Sequence, residues 1–175
     1  MNKTEPLAYR MRPKTLEEYE GQEHVIGPGK LLYRTIKADR LSSIILFGPP
    51  GCGKTSLAKV ISETTKYKFY KINAVTAGVS DIKKIVEETK NFMFNPAGKS
   101  ILFIDEIHRF NKLQQDALLP FVENGTIILI GATTENPYFE VNKALISRSM
   151  VIKLEPLTEK NIYNILKRAL TSKEG

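Results

Sequence analysis

The chain has 175 residues, enough for one domain with its own core, so stability requires neither disulfides nor a structural metal. Apolar residues make up 42% and charged residues 26%, which excludes a disordered, collagen-like or coiled-coil chain. The net charge of +7 points to a polyanionic partner such as nucleic acid, although a basic surface serves solubility equally well.

Cys52 is the single cysteine, and the two histidines, His24 and His108, lie far apart in the sequence. One thiol makes no internal disulfide, and this set makes no zinc site, which fits a reducing cytoplasm. The N-terminus lacks the apolar core of a signal peptide, and the longest apolar runs, such as Ile101–Ile104, are far too short to cross a bilayer.

Leu7–Gly29 is rich in Pro, Gly and charge and reads as an extended arm. Four β-rich runs follow, Ser43–Phe47, Phe69–Ile72, Ile101–Ile104 and Ile127–Ile130, with a weaker fifth at Val151–Leu154. The first, third and fourth are continuously apolar, as strands covered on both faces are. Helical patterns lie between them, at Thr55–Glu63, at Asp81–Asn91 with Ser80 as N-cap, and at Lys112–Val122, where Pro120 kinks or ends the helix. The alternation predicts an α/β fold with a parallel sheet between two helical layers. After Glu155-Pro156-Leu157, an amphipathic helix runs over Thr158–Leu170 with Ile162, Ile165, Leu166 and Leu170 on one stripe. The expected division is a core over 1–157 and the first helix of a truncated second domain over 158–175.

Gly48-Pro49-Pro50-Gly51-Cys52-Gly53-Lys54-Thr55 matches G-x-x-x-x-G-K-[ST], after a strand and at the start of a helix. Its glycines permit backbone conformations that aim successive N–H groups at phosphate oxygens, and the helix N-terminus adds partial positive charge. Lys54 reaches the β- and γ-phosphates, the Thr55 hydroxyl ligates Mg²⁺ and Ser56 bonds the α-phosphate. Cys52 reads as a spacer. The strand Ile101–Ile104 ends in Asp105-Glu106, beside the loop in an open parallel sheet. Asp105 is expected to hold Mg²⁺, directly or through water, and Glu106 to activate the attacking water. Neither Asn111-Lys112-Leu113-Gln114 nor Asn142-Lys143-Ala144-Leu145 supplies the aspartate of a guanine-reading N-K-x-D motif, so ATP hydrolysis is favoured.

In Gly131-Ala132-Thr133-Thr134-Glu135-Asn136-Pro137, Thr134 is the first choice for contacting the attacking water or the γ-phosphate, with Thr133 and Asn136 as alternatives. Asn136 before Pro137 also fits plain turn chemistry. Arg148 suits transition-state charge, but spacing alone makes it a surface residue. His108 reads as a buttress of the loop. Arg109, Lys112, Lys83 and Lys84 read as solvated charge, with DNA phosphates as the alternative.

Together these motifs resemble an AAA+ ATPase of the clamp-loader branch, as does the opening Arg10-Met11-Arg12-Pro13-Lys14-Thr15-Leu16 with Gly21-Gln22. Asn73–Val79, Ile104–Lys112, Gln114–Pro120 and Gly131–Pro137 are similar to the replication-associated recombination protein A family and its Werner-helicase-interacting relative. The resemblance implies a P-loop three-layer sandwich with a five-stranded parallel sheet and the start of a helical lid. It implies Thr134 as sensor 1, Arg148 as an arginine finger acting in trans, and Val25 and Ile26 as part of the segment covering adenine. It implies a homo-oligomer, a tetramer at full length, with a monomer as the alternative for this fragment. The partners it implies are single-stranded, gapped or fork DNA and single-strand-binding or replisome proteins, met in the cytoplasm at the nucleoid. A Holliday-junction branch-migration motor and a nucleotide-gated scaffold are the alternative readings.

Overall fold

The computed structural model describes residues 5–65 and 67–172. Five strands form one parallel sheet: β1 (Ser43–Phe47), β2 (Lys68–Asn73), β3 (Ser100–Asp105), β4 (Ile127–Thr133) and β5 (Ser149–Lys153). Their order across the sheet is β2-β3-β4-β1-β5. All five strands run the same way, so their C-terminal ends lie along one edge. Phe47 pairs with Thr133, and Asn73 pairs with Asp105. The bond from Gly48 N to Thr133 O, 3.2 Å, carries that alignment into the loop after β1.

The apolar strands are buried on both faces for the reason their composition implies. Successive side chains of a strand point to opposite sides. Ile44 and Leu46 of β1 therefore join one core, with Leu57, Ala58 and Ile61 of α4 (Lys54–Thr65), while Ile45 joins the other, with Ile82, Ile85 and Val86 of α5 (Val79–Lys90). β2 is an edge strand, half exposed, with Lys68 and Lys71 projecting from it; charged side chains of this kind discourage pairing with another chain.

Several expectations shift in detail. The arm carries two short helices, α1 (Leu7–Arg10) and α2 (Glu23–Ile26), and α3 (Leu31–Lys37) follows it; Leu32 and Ile36 of α3 are buried. Helix α5 begins two residues earlier than expected, at Val79. Its N-cap is Gly78, not Ser80, because the Asp81 carboxylate accepts the Gly78 N–H at 2.8 Å. The Lys112–Val122 pattern forms two helices, α6 (Lys112–Asp116) and α7 (Leu119–Glu123). Pro120 lacks an N–H and its ring clashes with the carbonyl four residues back, which breaks one helix into two. Asn111 and Gln114 cap α6 reciprocally, each bond 2.9 Å. Beyond β4, α8 (Pro137–Glu140) and α9 (Lys143–Ser147) lead into β5, and α10 (Glu159–Thr171) starts from a Thr158 cap. Helix α10 is tied back to the arm: Arg168 donates to Met11 O at 2.7 Å and to Glu18 O at 2.6 Å.

Candidate nucleotide site

The loop between β1 and α4 adopts backbone angles that its sequence was chosen to allow. Gly51 and Gly53 have φ of +75° and +98°, in the region L side chains resist. A Cβ on Gly53 would sit 2.6 Å from the Tyr19 hydroxyl oxygen, so this glycine is required both by torsion and by space. The Lys54 ammonium donates to Gly48 O at 2.8 Å and Pro49 O at 2.9 Å, and so lies along the inner rim of the loop. Cys52 is buried, as a spacer would be.

A cleft of about 400 Å³ opens over this loop. Pro50, Gly51, Gly53, Lys54, Thr55 and Ser56 form its floor; Asp105, Glu106 and Thr134 enter from the ends of the neighbouring strands. The cation, the hydroxyls and the paired acids converge because parallel strands end together. Asp105 also lies 4.0 Å from the Lys71 ammonium on β2. Glu106 occupies the left-handed region at φ +56°, one of three non-glycine residues with positive φ among the described residues. That conformation costs about 1–2 kcal/mol. It turns the chain out of β3 into the tight turn Ile107–Arg109 and leaves the carboxylate beside the cleft.

The two threonines at the end of β4 separate cleanly. Thr133 is fully buried, accepts Glu135 N–H at 2.9 Å and lies 2.8 Å from His108 Nδ1. Thr134 is exposed and lines the cleft. Asn136 accepts Tyr138 N–H at 3.1 Å, the turn chemistry expected of Asn before Pro.

Arg148 is not brought to the cleft. It closes α9, where it pairs with Glu123 Oε1 of α7 at 2.7 Å and donates to Ala144 O at 3.0 Å. Arg109, Lys112, Lys83 and Lys84 are exposed.

A second, more apolar cleft of about 380 Å³ adjoins the first and shares Gly51, Gly53 and Ser56 with it. Its other walls are Met11, Arg12, Pro13, Tyr19 and Glu20 of the arm, with Leu157 and Ile165 near α10. Val25 and Ile26 do not line it: Ile26 is buried in the core under α3, and Val25 packs against the same cluster. Sequence reasoning passed over Tyr19 and noted Gln22 only within the Gly21-Gln22 pair, without a role. Tyr19 donates to Gly53 O at 3.2 Å, and burial holds its phenol well above the ordinary tyrosine range. Buried Gln22 donates through Nε2 to Cys52 O (3.2 Å) and Glu155 O (2.7 Å), and accepts Glu155 N–H at 2.9 Å. The signal available in the sequence was their place within the motif-bearing arm, one residue on either side of Glu20-Gly21.

Residues 44–156 match the AAA family, the ATPase family associated with various cellular activities. The chain belongs to that family. Membership implies nucleotide binding and ATP hydrolysis, and the sheet order and flanking helices are those of its P-loop fold. The chain is 52% identical over 97% of its length to replication-associated recombination protein A of Coxiella burnetii, and 49% identical over 98% to that of Escherichia coli strain K12. It spans 38% of each of those relatives. It is 48% identical over 94% of its length to ATPase WRNIP1 of Dictyostelium discoideum, of which it spans 19%. Among solved structures, the Thermotoga maritima RuvB Holliday junction branch migration motor superposes with a TM-score of 0.71 at 30% identity, covering 91% of this chain and 53% of that one. No described helix is long and apolar enough to cross a membrane.

Proposed function

We propose that this AAA ATPase domain binds Mg²⁺·ATP across the two adjoining clefts and hydrolyses it as the motor of a DNA-dependent protein of replication-fork maintenance and recombination. The convergence of Lys54, Thr55, Asp105, Glu106 and Thr134 on one cleft carries the reading. The triphosphate lies over the loop, where Lys54 and the backbone N–H groups at the start of α4 meet its charge. The apolar cleft takes the base against Pro13, Tyr19 and Ile165 in place of the expected contact with Val25 and Ile26.

The Thr55 hydroxyl and the Asp105 carboxylate are hard oxygen donors on one cleft, a set suited to Mg²⁺. The bound ion neutralises phosphate charge during transfer. Glu106 takes the proton of the attacking water, and Thr134 hydrogen-bonds that water or the γ-phosphate. On this reading Arg148, exposed and outside its own cleft, serves a neighbour's nucleotide in a homo-oligomer. The reading extends to a tetramer, a DNA substrate, protein partners at the fork and a cytoplasmic, nucleoid-associated location; the likeness to replication-associated recombination protein A supports its DNA-associated part. Helix α10 opens the lid. The likeness to the branch-migration motor is weaker in identity and supports the shared fold first.

Steady-state ATP hydrolysis by the protein at its full natural length, with and without gapped DNA, tests this. Glu106→Gln is expected to keep ATP binding and lower turnover by about 100-fold or more. Wild-type turnover in that variant removes Glu106 from its role, and turnover indifferent to DNA removes the DNA-dependent motor.

A further inference from the structure

The imidazole of His108 stands between the two strand ends that carry the reaction. Its Nδ1 lies 2.8 Å from the Thr133 hydroxyl, and its Nε2 lies 3.3 Å from Glu106 Oε2. The neighbours of the two ring nitrogens select between the neutral tautomers. Thr133 Oγ1 receives Glu135 N–H at 2.9 Å, and its own hydrogen has two possible acceptors: His108 Nδ1 at 2.8 Å or Glu135 O at 3.5 Å. Thr133 Oγ1 keeps a second lone pair, so the 2.8 Å contact fits either neutral tautomer; the carboxylate 3.3 Å from Nε2, which accepts, decides between them. Nδ1 is then the acceptor and Nε2 carries the N–H toward Glu106. The opposite tautomer would place a nitrogen lone pair against a carboxylate oxygen.

We infer that His108 is a positioning residue for ATP hydrolysis: anchored by Thr133, its Nε2–H orients the Glu106 carboxylate so that the other oxygen faces the attacking water. This rests on the reading of Glu106 as general base. Three features make the orientation matter. The Glu106 backbone is already committed to the left-handed region, so only its side-chain torsions remain to be set. The carboxylate side chain is 36% exposed, which leaves it free to swing unless something holds it, whereas the His108 side chain is 14% exposed and anchored. Finally, Thr133 ends β4 and Thr134 follows it, so one short segment at the end of β4 places both the cleft-lining hydroxyl and the anchor of the imidazole.

The test is ATP turnover and ATP affinity in the protein at its full natural length, for variants that separate the two ends of the ring. A misplaced base costs up to about 100-fold in rate without touching binding, so His108→Ala is expected to lower kcat about 10- to 100-fold while ATP affinity stays within about threefold. A glutamine amide reaches the place of Nε2, and an asparagine amide reaches only that of Nδ1. His108→Gln should therefore recover most of kcat, and His108→Asn should stay as low as alanine. Thr133→Val, which keeps the shape of the buried side chain and removes the anchor, should lower kcat in the same sense. Unchanged kcat in His108→Ala overturns the inference, and so does recovery by asparagine equal to glutamine, which is the mark of a purely structural anchor. Glu106→Gln runs alongside: if that variant turns over normally, it is the reading of Glu106 that fails.

Discussion

Replacing Gln22 by methionine keeps the volume of the side chain and removes all its polar contacts. Three hydrogen bonds disappear, to Cys52 O and to both polar groups of the Glu155 backbone. Each is worth about 1 kcal/mol net, which sets a scale of about 3 kcal/mol. Glu155 itself is exposed, so water recovers part of the loss at its peptide groups, and about 2 kcal/mol is the better figure. In a domain of this size that lowers the melting temperature by about 4–8 °C. ATP affinity should fall as well, because Cys52 lies inside the phosphate loop and the bond from Gln22 holds its carbonyl. The assay is thermal unfolding with and without nucleotide, together with a binding titration of a fluorescent ATP analogue. A melting temperature within 2 °C of wild type, about half the smallest expected drop, with unchanged affinity would refute the assignment of Gln22 as the tie between loop and linker.

Gly53→Ala meets two obstacles at once, a φ of +98° and the Tyr19 hydroxyl oxygen 2.6 Å from the new Cβ. It should lose measurable ATP binding in the same titration, and Tyr19→Phe should not restore it, because the torsional strain remains. Arg148→Ala should change thermal stability by less than about 0.5 kcal/mol, since its pair with Glu123 is exposed on both sides, while abolishing turnover in the assembled protein. Sedimentation alongside the hydrolysis assay checks that the assembly itself survives.

What the sequence made legible was local. The apolar runs of β1, β3 and β4 and the helix that opens at Lys54 are each written within a dozen neighbouring residues, and the structure places them within a residue or two of where periodicity did, save that β4 runs three residues further, to Thr133. The acids at the end of β3 could be set beside the phosphate loop because parallel strands share one edge. The choice of Thr134 over Thr133 was open in the sequence, where the two are chemically identical. The end of the strand separates them: Thr133 is the last, buried residue of β4, and Thr134, just beyond it, reaches the cleft. The arm was misjudged as merely extended because its helices are each a single turn, too short for any periodic pattern to register.

What stayed hidden was carried by contacts between residues distant in the chain. His108 meets Thr133 across 25 positions, Tyr19 meets Gly53 across 34, and Gln22 meets Glu155 across 133. None of these partners has a compositional mark; a glutamine in a left-handed turn looks like any polar loop residue. Yet they act on the same object from three sides. Gln22 and Tyr19 hold the carbonyls of Cys52 and Gly53, and the same arm accepts Arg168 from α10 through Met11 and Glu18. The phosphate loop, the segment after β5 and helix α10 are therefore fixed to one arm. The buried side chains of Leu16, Tyr19 and Ile26 root that arm in the core.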